Sequence, residues 1–299
     1  MTKTIQRLLS GESFAFDGLI SLISRSISLI IPIRASSEDS EEITELKESM
    51  LYSVLFISIY FYFLVQRYRL IVPKHGTSNK KMTKIAIFDL DGTLLNTIAD
   101  LGAATNYSLK SLGFAERRLE EYNQMVGRGI YNLFRAALPE ASSNEENVQK
   151  MADLFIPYYD EHMCDLTTPY EGIPQMLQTI TKAGIQVAVA SNKYQKGAEK
   201  IIGHYFGGIC FKRVLGQRND LPVKPDPAIV NAIISDSPDI KLKDVVYVGD
   251  SNVDMQTGIN AKVRTIGALW GFRSREELES YHPWRLAENP KQLESFILE

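Results

Sequence analysis

The sequence predicts an α/β protein with a Rossmann-like parallel sheet at its core, and three observations predict it. Ile85–Phe88, Ile185–Ala190 and Val245–Val248 are short, largely apolar runs of strand length. Helix-period patterns fill the intervals between them, as expected of parallel strands buried on both faces. Each run passes directly to polar residues: Asp89, then Ser191-Asn192-Lys193, then Gly249-Asp250. Open parallel sheets bind ligands at the carboxyl ends of their strands, so those polar residues are the candidates for chemistry. The composition agrees: 44% hydrophobic and 23% charged residues over 299 positions exclude a wholly disordered chain, a collagen-like repeat and a multi-span transporter.

The first strand and the second are too far apart for a single crossover, since Asp89 and Ser191 are separated by 102 positions. Within that interval Ile98, Leu101, Leu109 and Leu112 share helical spacing and stop at Gly113. Ile130, Leu133, Phe134 and Leu138 form a second set, stopped by Pro139. Val148, Met151, Phe155, Tyr158 and His162 form a third, with a kink expected at Pro157. The economical reading is a helical cap over 99–170, inserted into a core made of 82–98 and 171–299. Such a lid above the strand ends would exclude water from a reaction.

Residues 1–81 read differently. Ser49–Gln66 is an uncharged span of 18 residues, about 27 Å long as a helix. Tyr60 to Phe63 and the basic flank from Arg67 to Lys81 would keep the downstream part in the cytoplasm if the span crossed a membrane. Two readings stand: an extension with one membrane helix at 49–66 and a linker at 73–81, or a start-site artefact with the protein beginning at Met82. A net charge of −3 argues against nucleic acid as a partner. Cys164 and Cys210 form no C-x-x-C pair, which fits a reducing compartment without a thiolate zinc site. Nothing chooses between a monomer and a homodimer.

Asp89-Leu90-Asp91-Gly92-Thr93 is the most informative stretch. Two carboxylates two positions apart, at a strand end and in a tight glycine turn, can face one small volume. One can attack an electrophile while the other moves protons. Backbone amides around Leu90 to Thr93 can hold an anion. A calcium loop of the EF-hand type is excluded, because Leu94 stands where its glycine belongs and no helix precedes.

Phe88-Asp89-Leu90-Asp91-Gly92-Thr93-Leu94 resembles the first motif of the haloacid dehalogenase (HAD) superfamily. Ser191, Lys224 within Val223-Lys224-Pro225-Asp226-Pro227, and Gly249-Asp250-Ser251-Asn252-Val253-Asp254 resemble the second, third and fourth, in order. The resemblance covers about 83–299. It implies that Asp89 is a nucleophile forming an aspartyl-phosphate and that Asp91 carries the proton. It implies a Mg²⁺ ion held by Asp89, Asp250 and the Asp91 carbonyl, with Asp254 as a ligand or one layer behind. Ser191 and Asn192, the latter by both its amide and its side chain, would bind phosphoryl oxygens beside Gly92 and Thr93, and Lys224 would offset the gathered negative charge.

Further stretches resemble phosphoglycolate phosphatases in particular: Asp91-Gly92-Thr93-Leu94-Leu95-Asn96-Thr97 with Asp100-Leu101, the loop Val126-Gly127-Arg128-Gly129, the Ser191-Asn192-Lys193 triplet, and the tail from Leu269-Trp270-Gly271-Phe272-Arg273 to Leu278. Asn96 departs from that family's usual Asp, and Ala261-Lys262 from its usual Ala-Gly. Phosphoglycolate carries a carboxylate beside its phosphate, so a cation of the cap should meet it; Arg128 is the first candidate and Lys193 the second. A pyrophosphatase, a nucleotide or sugar-phosphate phosphatase, and a phosphomutase would keep the same catalytic residues. A membrane-tethered binding protein without catalysis is the alternative of another class.

Overall fold

The structure, a computed structural model, describes residues 83–237 and 239–299; the span 49–66 and the start at Met82 lie outside the described residues. Strand β1 (Ile85–Phe88) pairs in parallel with β4 (Gln186–Tyr194) on one side and β6 (Val245–Gly249) on the other. β5 (Phe211–Gln217) extends the sheet beyond β4, while β7 (Arg264–Ala268) and β8 (Arg285–Ala287) extend it beyond β6. The result is a six-stranded sheet, all parallel, in the order β5-β4-β1-β6-β7-β8. The predicted fold class holds.

Alternation along each strand divides the core in two. Ala86, Phe88, Val187, Val189, Val246 and Val248 enter one apolar cluster, whereas Ile85, Ile87, Ala188, Ala190, Val245 and Tyr247 enter the other. The second cluster is closed by Ile229, Val230 and Ile233 of a helix at Ala228–Ile234. Both faces of β1 are therefore dry, which explains its uninterrupted apolar sequence.

Between β1 and β4 the chain leaves the sheet through β2 (Leu95–Asn96) and returns through β3 (Thr168–Pro169), and these two pair antiparallel as a stem. The interval holds α1 (Ile98–Ser111), α2 (Leu119–Met125), α3 (Ile130–Ala137) and α4 (Glu145–His162). The first, second and third apolar sets of the sequence fall on α1, α3 and α4. Pro157 lies inside α4, and the buried series there is Val148, Met151, Ala152, Phe155 and Tyr159. The buried face thus passes through Tyr159 rather than Tyr158, which is half-buried and stacks on Tyr107 with ring centroids 4.2 Å apart. Spacings of three and four both satisfy a helical pattern, so the sequence left a choice between adjacent positions. Asp100, buried in the first turn of α1, accepts hydrogen bonds from the amides of Leu166 and Thr167 and ties the two ends of the interval together. Among the described residues no helix is long and apolar enough to cross a membrane.

Candidate active site

The carboxyl ends of β1, β4 and β6 deliver the expected polar residues to one place. Asp89 follows β1, and its amide bonds the carbonyl of Val248 on the neighbouring strand, so the turn starts from a fixed point. The turn then closes on itself: Gly92 donates to the Leu95 carbonyl, and Thr93 and Leu94 to that of Leu90. This corrects the expectation of an anion cradle spanning Leu90 to Thr93, because the later amides are already spent. Gly92 has φ +87°, and a Cβ there would lie 2.3 Å from an Asp250 carboxylate oxygen. Only glycine meets both demands.

Oxygens of Asp89, Asp250 and Asp254 lie within 4.8 Å of one another, and all three residues are buried. Their hydrogen bonding separates them. Asp254 sits in the first turn of the helix Asn252–Ala261, where it forms a capping box with Ser251. Its Oδ1 accepts from Lys224 Nζ at 2.7 Å and Tyr247 Oη at 3.1 Å; its Oδ2 accepts from the Ser251 amide at 3.1 Å and Ser251 Oγ at 2.5 Å. An ionised carboxylate offers about four lone-pair sites, so Asp254 is full. Asp250 accepts one bond on each oxygen, from Thr93 Oγ1 and the Phe272 amide, both at 2.8 Å, and keeps a lone pair on each. Asp89 Oδ1 lies 2.8 Å from Lys224 Nζ, and this buried oxygen has no partner besides that ammonium.

Three acids around one ammonium form an unbalanced set. Burial, reinforced by the charge of Asp254 and opposed by Lys224, raises the Asp89 carboxyl to about 7. Burial and then the charges of Asp254 and Asp89 hold Asp250 well above the usual carboxylate range. For Lys224 burial works against the ammonium, but Asp254 and Asp89 overcome it and hold the group well above its ordinary value. A divalent cation bound by oxygen would supply the missing positive charge, and clustered carboxylates with a half-used Asp250 among them are the donor set that a hard cation takes. The residues present fit such an ion.

The remaining predicted residues divide sharply. Ser191 is buried and lines the same pocket as Asp89 and Asp91. The side chain of Asn192 is committed elsewhere: its Nδ2 donates to the carbonyls of Gly127 and Lys224, and its Oδ1 accepts from the Lys224 amide at 2.9 Å. It holds Lys224 in place, which corrects its expected role as a phosphate donor through that side chain. The Thr93 hydroxyl is likewise spent on Asp250. Lys193 Nζ reaches Asp91 Oδ1 at 3.0 Å. Arg128 is exposed and absent from the pocket lining, although Gly127 and Gly129 on either side belong to it. The Arg128 side chain thus faces solvent, while Lys193 lines the pocket with its ammonium on Asp91.

Two pieces of the site escaped sequence reasoning. The Trp270 indole donates to the Thr93 carbonyl at 3.0 Å, and a Cβ on Gly271 would lie 2.2 Å from that of Asp250. Arg273 donates to the carbonyls of Asn123, Gln124 and Val126, reaching from the sheet into the helical interval. The signal was the tail itself, legible as a resemblance but not as a contact. Tyr159, the other omission, lines the pocket together with Leu101, Val126, Ile130 and Leu133.

A family model described as haloacid dehalogenase-like hydrolase matches residues 86–268, more than half of the chain. The chain belongs to that family. A phosphoglycolate phosphatase of Agrobacterium fabrum is 31% identical over 203 residues, covering 65% of this chain and 84% of the relative. The phosphoglycolate phosphatase of Aquifex aeolicus is 27% identical over 220 residues, covering 72% and 99%. Among solved structures, a Lactobacillus delbrueckii subsp. bulgaricus protein provisionally assigned as a phosphoglycolate phosphatase superposes with a TM-score of 0.68 at 29% identity, covering 73% of this chain and 99% of its own. The expected family and the expected subgroup resemblance therefore stand, and the chain is a hydrolase of HAD type.

Proposed function

We propose that this hydrolase is a Mg²⁺-dependent phosphatase that cleaves a small phosphate monoester, 2-phosphoglycolate, to glycolate and phosphate. The observation that carries the reading is Asp89 Oδ1: a buried carboxylate oxygen at a strand end, paired with the Lys224 ammonium at 2.8 Å and with no other group. Both oxygens of Asp250 and of Asp254 are tied to donors of the surrounding fold, whereas Asp89 Oδ1 faces the Lys224 ammonium alone. Relatives named phosphoglycolate phosphatase support the choice of substrate.

In this reading a carboxylate oxygen of Asp89 attacks phosphorus in line. The ester P–O bond breaks as Asp91 gives its proton to the leaving oxygen. Asp91 then takes a proton from water, the water oxygen attacks phosphorus, and the acyl-phosphate bond breaks to free Asp89 and inorganic phosphate. Asp89, Asp250 and the Asp91 carbonyl would hold Mg²⁺, with Asp254 behind them holding Lys224. Bound Mg²⁺ supplies charge that offsets the carboxylates and the phosphoryl oxygens. Ser191 Oγ and the amide of Asn192 bind those oxygens. Residues 99–170 act as the cap, and its apolar wall excludes water from the acyl-phosphate.

The test is phosphate release by the full chain from a panel of monoesters with Mg²⁺. Phosphoglycolate should be turned over fastest, ³²P should be trapped on Asp89, and Asp89→Asn should lower turnover by at least roughly 10³-fold. An equal rate on every ester would remove the substrate assignment; unlabelled Asp89 would remove the mechanism.

A further inference from the structure

Lys193 is an uncommon lysine. It stands at the end of β4, its side chain only 2% exposed, and its ammonium is shared between two partners from different parts of the fold. Nζ lies 3.0 Å from Asp91 Oδ1 and 2.7 Å from Tyr159 Oη, and it sits 4.6 Å from the centroid of the Tyr159 ring. Tyr159 is fully buried in α4 and stacks on Phe155, centroids 5.0 Å apart, which in turn packs edge-on against Phe134. The next residue pair repeats the link, since Tyr194 Oη donates to Asp160 Oδ1 at 2.5 Å. The ammonium is therefore fixed at the hydroxyl end of a ring that belongs to a packed aromatic layer of the helical interval.

We propose that Lys193, held by Tyr159, is a positioning residue that aims the proton-carrying carboxylate of Asp91. The inference rests on the reading of Asp91 given above and adds a device to it. Asp91 stands in a turn just before a glycine with positive φ, and its side chain is 12% exposed. A carboxylate there would otherwise rotate about two torsions. With Oδ1 pinned by the ammonium, Oδ2 is the oxygen that carries the proton, at a fixed distance from the leaving group. Placement errors of about 1 Å in such a group can cost on the order of 10²-fold in rate. The arrangement also ties proton transfer to the seating of α4 over the strand ends, because the residue that holds Lys193 belongs to that helix.

The experiment compares two esters that differ in their need for a proton. Single-turnover phosphoryl transfer is measured for the full chain with Mg²⁺, using ethyl phosphate, whose alkoxide leaves only when protonated, and 4-nitrophenyl phosphate, whose anion leaves unaided. Lys193→Met should slow transfer from ethyl phosphate by roughly 10–100-fold and from the aryl ester by less than about twofold. Tyr159→Phe keeps the ring and the core packing, so it guards against a misfolded lysine variant. It should show the same split at roughly 3–10-fold, with KM for either ester within about twofold. An equal loss on both esters, or no loss on either, would overturn the positioning role. Asp91→Asn is the control: if it treats both esters alike, the reading of Asp91 itself falls. If it splits them and the other two variants do not, only this inference falls.

Discussion

On the strand side of the pocket, Asp89, Asp250, Asp254 and Lys224 crowd their charges into a dry volume; on the helical side, Leu101, Val126, Ile130 and Leu133 present hydrocarbon, and Arg128 turns away to solvent. The strand side is held by hydrogen bonds that leave few oxygens free, whereas these four side chains of the helical side are held by packing. Charge at that density is costly in a low-dielectric interior unless it is paired, so the strand side should respond to every change in ionic balance. A hydrocarbon wall carries no such cost and should tolerate changes at its rim.

The difference can be broken most forcibly at Lys224. Lys224→Met removes the one ammonium that faces both Asp89 and Asp254, at 2.8 and 2.7 Å. Loss of one partner from a buried pair costs about 3–5 kcal/mol, read as a fall in the urea midpoint of the metal-free protein. Next comes the cation itself. With its folded-state carboxyl raised from 3.8 to about 7, Asp89 holds a proton in the native state that the unfolded chain gives up. Stability of the metal-free protein should therefore be greatest near pH 4 and fall as pH rises through 7. Mg²⁺ should restore it on the alkaline side, by about 2.7 kcal/mol at a hundredfold excess over its dissociation constant. A thermal midpoint that rises with pH without metal, or that ignores Mg²⁺ at pH 8, would contradict the charge imbalance.

Gly271→Ala sharpens the comparison at close range. The added carbon meets Asp250 at 2.2 Å, so the carboxylate must move or the tail must lift. Overpacking of this kind costs about 1–3 kcal/mol, and affinity for Mg²⁺, measured by calorimetry, should weaken with it. The smallest effect belongs to the other wall. Arg128→Ala should change stability by less than about 0.5 kcal/mol and KM for phosphoglycolate by less than about twofold. A large selective rise in KM would return Arg128 to the substrate.

The site was legible in proportion to how local its causes are. Asp89, Ser191 and Asp250 could be read because each follows an apolar strand directly, and a strand end is a one-dimensional fact. Arg128 was hard to place because a loop between two glycines gives no sign of which way its side chain points. Tyr159 was missed because it competes with Tyr158 on one helix, and only packing against Phe155 chooses between them. The roles of Asn192 and Thr93 could be guessed from their neighbours in sequence, yet their partners are Lys224 and Asp250, 32 and 157 positions away.

By itself the sequence determined which residue types stand at the ends of the parallel strands, since burial on both faces of a strand demands an apolar run and leaves its polar successor conspicuous. It determined as well that a long helical interval separates the first strand from the second. Only the tertiary structure decided how the carboxylates divide their labour. A lone pair is free or spent according to which donors fold against it, and those donors come from β6, the tail after β7 and the loop around Lys224. Hydrogen bonds between distant segments leave no periodicity behind them, so their pattern exists only once the chain has closed.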